Sequence, residues 1–277
     1  MSAGPAPIPK ILYGTAWKEE QTESLTGLAL TAGFRGIDTA NQRKHYVEAA
    51  VGRAVQAAIG AGSCSRDELF LQTKFTLQGG QDQRLPYDPR APVATQVEQS
   101  LRSSLAHFAT HAVDSFILHG PSGRGPLSRV DVEAWRAIEA QARAGRTRFI
   151  GVSNFSVAQF GELLGLAQIA PRFVQNRCYA RTGWDRELRR LCAEHGVTYQ
   201  GFSLLTANRA ELEGAEMRAL QARTGRSAAE LVFRFAHQIG ILPLTGTRDE
   251  RHMRLDLAAL DAPLEPSDAQ WLERAFG

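Results

Sequence analysis

The chain has 277 residues, 43% of them hydrophobic, which suits a single large core. Its 32 basic and 29 acidic side chains leave a net charge of +3, too small and too dispersed for a nucleic-acid surface. Three cysteines, Cys64, Cys178 and Cys192, form no CxxC pair and argue against a disulfide framework or a zinc site. No apolar run is long enough to span a bilayer, and MSAGPAPIPK lacks the apolar stretch of a signal peptide. A cytoplasmic protein without a membrane or nucleic-acid partner is expected.

Short apolar runs at 11–13, 36–37, 69–73, 115–118, 149–152, 173–175, 198–202 and 241–244 read as buried parallel strands. Between them, helical patterns cover 21–32, 46–59, 94–108, 132–144, 156–166, 185–194 and 228–238. Gly33, Gly145 and Gly196 stand just past three helix ends, where a left-handed residue is wanted, and Ser156 is placed as an N-cap. Eight alternations of strand and helix, with no linker or repeat, predict an α/β fold: a (β/α)8 TIM barrel in one domain, 1–277. The longest loop, 76–92, and a Gly/Pro-rich stretch at 120–128 would overhang the barrel mouth.

The strand ends carry the chemistry. Asp38 in GIDTA, Lys74 in LQTK, His119 in ILHGP and Ser153-Asn154 in GVSN each follow an apolar run and precede a helical pattern. Each alone reads as a turn, a cap or a rim residue. In a parallel barrel the C-terminal strand ends converge on one mouth, so an acid, an amine and an imidazole would meet there.

Together, LYGTAWK, GFRGIDTA, FLQTKF, ILHGP, FIGVSNFS, VQNRCY and ILPLTGT resemble the aldo-keto reductase superfamily, in its order and over nearly the whole chain. The resemblance implies reduction of an aldehyde or ketone by a nicotinamide cofactor, NADPH first and NADH second, through an Asp, Tyr, Lys and His tetrad, in which the lysine's charge would lower the phenol's pKa from about 10 and let it serve as the acid. Asp38, Lys74 and His119 match three positions. The family's tyrosine stands five residues after the Asp, where this chain has Arg43. Tyr46 is expected to replace it across a longer NQRKH loop, although the slot counted back from Gly52 holds His45.

The resemblance places Ser153, Asn154 and Gln175 on the nicotinamide carboxamide and Phe202 on its ring, where the family has Tyr. Ser203 and Leu204 would follow the pyrophosphate, and Thr15 would touch cofactor beside Trp17. After the eighth strand, Leu244 and Thr245 stand where the family commonly has Lys-Ser. Thr245, Gly246, Thr247, Arg248 and Arg251 are the expected clamp for the 2′-phosphate, with Arg254 and His252 close by. Trp17, Tyr87 and the region of Trp271 would line the pocket for a small carbonyl compound. The segment 3–9, with three prolines, is not expected to form the hairpin that floors many relatives. A monomer is expected. A cofactor-binding regulatory module of the same fold, with little turnover, is the alternative, and a Schiff-base aldolase using Lys74 is a more distant one.

Overall fold

The computed structural model describes residues 6–261 and 263–274. Eight parallel strands close into a barrel in chain order: β1 Leu12–Gly14, β2 Gly36–Asp38, β3 Phe70–Phe75, β4 Val113–Leu118, β5 Thr147–Ser153, β6 Phe173–Arg177, β7 Thr198–Phe202 and β8 Ile241–Thr245, with β8 pairing back onto β1. Around it run α1 Thr22–Ala32, α2 Glu48–Gly60, α3 Val93–Phe108, α4 Arg129–Arg143, α5 Val157–Leu166, α6 Arg186–Glu194, α7 Arg209–Leu212, α8 Ala215–Thr224, α9 Ala228–Gln238, α10 Glu250–Ala258 and α11 Pro266–Arg274. This is the expected barrel. Among the described residues no helix is long and apolar enough to cross a membrane.

Local chemistry sets the element ends. Ser128, Ser156 and Ser227 each accept the N3 backbone N–H of the helix they start, in reciprocal capping boxes. Gly33, Gly145 and Gly196 take positive φ after α1, α4 and α6, as anticipated. Helix α2 starts at Glu48 and not at Tyr46. Val47 is non-helical, and Tyr46 instead donates its backbone N–H to the Gln42 carbonyl at 3.0 Å. Tyr46 therefore belongs to the loop. Helices α7, α8 and α11 were not anticipated. Residues 3–5 of the proline-rich segment lie outside the described residues, and residues 6–11 form no strand.

Two devices anchor the helix that follows the Tyr46 loop. Buried Glu48 accepts the Thr73 hydroxyl of β3, and its second oxygen lies 2.8 Å from His107 Nδ1 on α3. Gly52 lets α2 press onto α3, since a Cβ there would fall 1.9 Å from the His107 carbonyl oxygen.

The strand period of two fills the barrel in layers. Phe70, Phe149 and Phe173 meet at ring separations of 5.7–6.5 Å. With Leu12, Ile117, Leu242 and Leu244 they make an apolar lower plug. Two residues further along the strands the filling turns polar: Gln72, Gln175 and Gln200 sit level with Asp38. Lys74 and His119 lie above, at the strand ends.

Candidate active site

Asp38 ends β2 and Lys74 lies near the end of β3, so neighbouring strands bring acid and amine together. The Lys74 ammonium donates to Asp38 Oδ1 at 2.8 Å, to Oδ2 at 2.7 Å and to the Thr39 carbonyl at 2.8 Å. Its three N–H groups are thereby matched by three acceptors. Lys74 is fully buried and Asp38 nearly so. Burial lowers the lysine pKa, and the Asp38 charge and hydrogen bond work against that. Asp38 Oδ1 also accepts Gln72 Nε2 at 2.7 Å and Gln175 Nε2 at 3.0 Å.

Tyr46 reaches this pair from the loop. Lys74 Nζ lies 5.2 Å from the centre of its ring, and the ring meets His119 edge-on at 5.8 Å. Its neighbour His45 turns the other way and stacks on Trp17 at 3.9 Å. The longer loop thus brings the ring of residue 46, and not that of 45, beside Lys74. The expected drop in the phenol's pKa is corrected: burial first, then the Asp38 charge, holds Tyr46 above its ordinary value. Lys74 has turned its hydrogen bonds to Asp38 and Thr39 and meets the phenol by its ring.

His119 follows β4. Its Nδ1 lies 2.7 Å from the Thr76 hydroxyl, and its backbone carbonyl accepts Asn154 Nδ2 at 2.9 Å. Burial, reinforced by the nearby Lys74 charge, pushes the imidazole well below its ordinary pKa, so it is neutral at physiological pH.

The structure separates the remaining expected residues. Ser153, at the end of β5, donates to the Gln175 carbonyl at 2.7 Å and accepts from Asn154 Nδ2 at 3.1 Å. Asn154 holds a left-handed φ of 59° and is exposed. Phe202 is half-buried at the end of β7 and Ser203 takes φ 58°. These groups gather on one side of the mouth. Their arrangement fits an aromatic amide: Gln175 Oε1 and Asn154 Oδ1 have no hydrogen-bond partner among the described residues, and Phe202 adds a ring face.

Four expectations are corrected. Tyr87 does not line a pocket: it is buried on Phe75 and donates its hydroxyl to the Thr76 carbonyl at 2.8 Å, tying the long loop down. Leu204 is core, and its carbonyl accepts Asn208 Nδ2 at 2.8 Å. Thr15 is buried and directs both N–H and hydroxyl to the Asp38 carbonyl, supporting β2 rather than facing a ligand. Thr245 is buried, and its hydroxyl donates to Asp256 at 2.7 Å. Burial raises the Asp256 carboxyl to about 6.

At the rim, Trp17 is 57% exposed with φ 61°. Arg248 donates to the Trp17 carbonyl and to Gln21 Oε1, while Thr247 accepts the Tyr13 hydroxyl at 3.0 Å. Gly246 and Arg251 are exposed, as is Arg254, which pairs with Glu250. Trp271 packs against the main core.

Sequence reasoning missed Lys18. This buried amine donates to the Gly246 carbonyl at 2.6 Å and is pulled down to about 8 by burial and by Arg248. Gln72, Gln200 and Thr76 were missed as well. The signal was available for two of them, since the strand period puts Gln72 on the face of Lys74 and Gln200 on that of Phe202.

Residues 10–275 match the model of the aldo/keto reductase family. Deoxymugineic acid synthase 1-D of wheat, Triticum aestivum, is 28% identical, covering 91% of this chain and 82% of that protein. Aldo-keto reductase family 1 member A1 of the pig, Sus scrofa, is 27% identical, covering 96% and 85%. The silkworm, Bombyx mori, aldo-keto reductase solved with NADPH is 25% identical with a TM-score of 0.82, covering 97% of this chain and 84% of that one.

Proposed function

Because the chain belongs to the aldo/keto reductase family, we propose that it reduces an aldehyde or ketone to an alcohol, with Tyr46 as the proton donor. The observation that carries this reading is the convergence of four strand-end or loop residues: Lys74 paired to Asp38 at 2.7 Å, with Tyr46 between that ammonium and the His119 ring. A reduced nicotinamide held at the Gln175 side of the mouth would supply the hydride.

The protein's residues then handle one proton and one developing charge. The carbonyl oxygen turns negative as its carbon accepts hydride, and the Tyr46 phenol, kept protonated by burial, gives it a proton. The resulting phenolate is offset by the Lys74 ammonium 5.2 Å from its ring. Asp38 steadies that ammonium from the far side. In the tautomer in which the Thr76 hydroxyl donates to His119 Nδ1, 2.7 Å away, the neutral imidazole would carry its proton on Nε2 and donate it to the carbonyl oxygen, orienting substrate. Trp17 and His45, stacked at the rim, would form an aromatic wall for the rest of the molecule.

Ser153, Asn154 and Gln175 would hold the carboxamide, and Phe202 and Ser203 would flank the cofactor. NADPH is the proposed cofactor, with NADH second. The silkworm relative solved with NADPH supports a nicotinamide cofactor. Arg248 and Arg251 are the groups proposed for the 2′-phosphate, with Gly246 and Thr247 leading into the first turn of α10. The test is NADPH oxidation with a panel of aldehydes and ketones. Turnover with any of them supports the reading. Tight NADPH binding with no turnover on the whole panel points instead to a regulatory module.

A further inference from the structure

Three buried glutamines below the tetrad share one hydrogen-bond pattern. Gln72 and Gln200 form a reciprocal amide pair: Gln72 Nε2 donates to Gln200 Oε1 at 2.8 Å, and Gln200 Nε2 donates to Gln72 Oε1 at 3.0 Å. Gln175 Nε2 donates to the same Gln200 Oε1 at 2.9 Å. Gln72 and Gln175 each give their other N–H to Asp38 Oδ1, at 2.7 and 3.0 Å.

This pattern has one sense only. An ionised carboxylate has no hydrogen to offer, so every amide facing Asp38 must present its NH2. Gln72 Oε1 then faces Gln200, which must answer with its own NH2. That leaves Gln200 Oε1 as the acceptor for both other amides. Turning Gln175 over would set its carbonyl oxygen against Asp38 Oδ1 and Gln200 Oε1 together. In a buried layer an unmade hydrogen bond is costly, and two oxygen–oxygen contacts cost more. Gln175 therefore has a fixed face, with both N–H groups turned inward and Oε1 free.

We propose that Gln200, through its reciprocal pair with Gln72, is a positioning residue that locks Gln175 as a pure acceptor, so that the site takes the N–H2 side of the cofactor's carboxamide. This rests on the reductase reading for the identity of the ligand, but the locked amide does not. Neither Gln72 nor Gln200 touches the reacting atoms.

The test uses Gln200→Leu and Gln200→Glu in the whole protein. In Gln200→Leu, the NADPH dissociation constant should rise about tenfold, while KM for the carbonyl substrate stays within about twofold, the loss of one well-made buried hydrogen bond. In Gln200→Glu, the introduced carboxyl still accepts the Gln175 N–H in either protonation state. Its NADPH affinity should therefore stay within about twofold of the wild-type value. The cofactor-free protein gives an independent readout: the side-chain amide NMR signals of Gln175 should be slowly exchanging, and Gln200→Leu should shift them and speed their exchange.

A folded Gln200→Leu variant with unchanged NADPH affinity and unchanged Gln175 amide signals overturns the proposal. So does a Gln200→Glu variant that loses as much NADPH affinity as Gln200→Leu, and, should Gln200→Leu not fold, fast exchange of the Gln175 amide signals in the wild-type protein overturns it. If the wild-type protein binds no NADPH, the reductase reading fails, and the amide signals still decide whether the lock exists.

Discussion

Lys74 meets Asp38 with hydrogen bonds and Tyr46 with charge alone: 2.8 and 2.7 Å to the two carboxylate oxygens, 5.2 Å to the centre of the phenol ring. The ammonium is thus anchored before any substrate arrives. Its influence on the phenol acts through space and grows only when negative charge forms there.

Replacing Tyr46 by Phe removes the proton donor and keeps the ring. Carbonyl reduction should fall by roughly 100-fold or more, the usual worth of a positioned acid. The NADPH dissociation constant, read by tryptophan fluorescence, should stay within about twofold, because that change removes no group proposed to hold cofactor. An active variant would remove Tyr46 from the mechanism.

Lys74→Met leaves the Asp38 carboxylate buried without its cation. Unfolding in urea should show a loss of about 3–5 kcal/mol, the usual penalty for orphaning a buried charge. The double variant Asp38→Asn with Lys74→Met should recover part of that loss. If both variants unfold at the wild-type midpoint, the pair contributes nothing to the fold.

The phenol should resist ionisation. Its pKa is raised above the ordinary value near 10, so the cofactor-free protein should show no tyrosinate absorbance from Tyr46 at neutral or mildly alkaline pH. The difference spectrum between wild type and Tyr46→Phe isolates it. A Tyr46 signal emerging below pH 9 would contradict the burial argument.

Asp256 gives stability a pH slope of definite sign. Its folded pKa of about 6 lies above the unfolded 3.8, so the folded state binds the proton more tightly. Stability from this group is complete below about pH 4 and is lost as pH rises toward 6, up to about 3 kcal/mol in all. Asp256→Asn keeps an acceptor for Thr245 and should remove the slope, stabilising the protein at pH 7.5 but not at pH 4. Denaturant unfolding at the two pH values checks it.

Tyr87→Phe should cost about 1 kcal/mol of stability through the lost hydrogen bond to the Thr76 carbonyl. Its effect on kcat and KM should stay within about twofold, since the ring is core and not pocket wall. A large rise in substrate KM would return Tyr87 to the binding site.

The barrel and its polar strand ends were legible because they depend on local rules. Apolar runs of strand length, glycines after helices and a serine at a helix start carry their meaning within a few residues. Tyr46 was legible only through the family's pattern, because NQRKH has no periodicity. Which of His45 and Tyr46 stands beside Lys74 is a tertiary matter, settled by the stacking of His45 on Trp17. Tyr87, Thr15, Thr245 and Leu204 were misread for one reason. Proximity to a strand end was taken for exposure, and each polar group among them had already been claimed by a carbonyl or by Asp256. The glutamine layer went unnoticed because a glutamine in a strand carries no motif, only a parity.

The three packed phenylalanines put an apolar layer beneath the glutamines, with no polar side-chain atom of their own to hold a water. On the proposed reductase reading, a proton that departs with a product alcohol would be replaced from above, past the aromatic rim or along the hydroxyl of Thr76. On that reading, turnover would depend on water entering at the mouth, and a bulky alcohol lodged there would slow reprotonation as well as release.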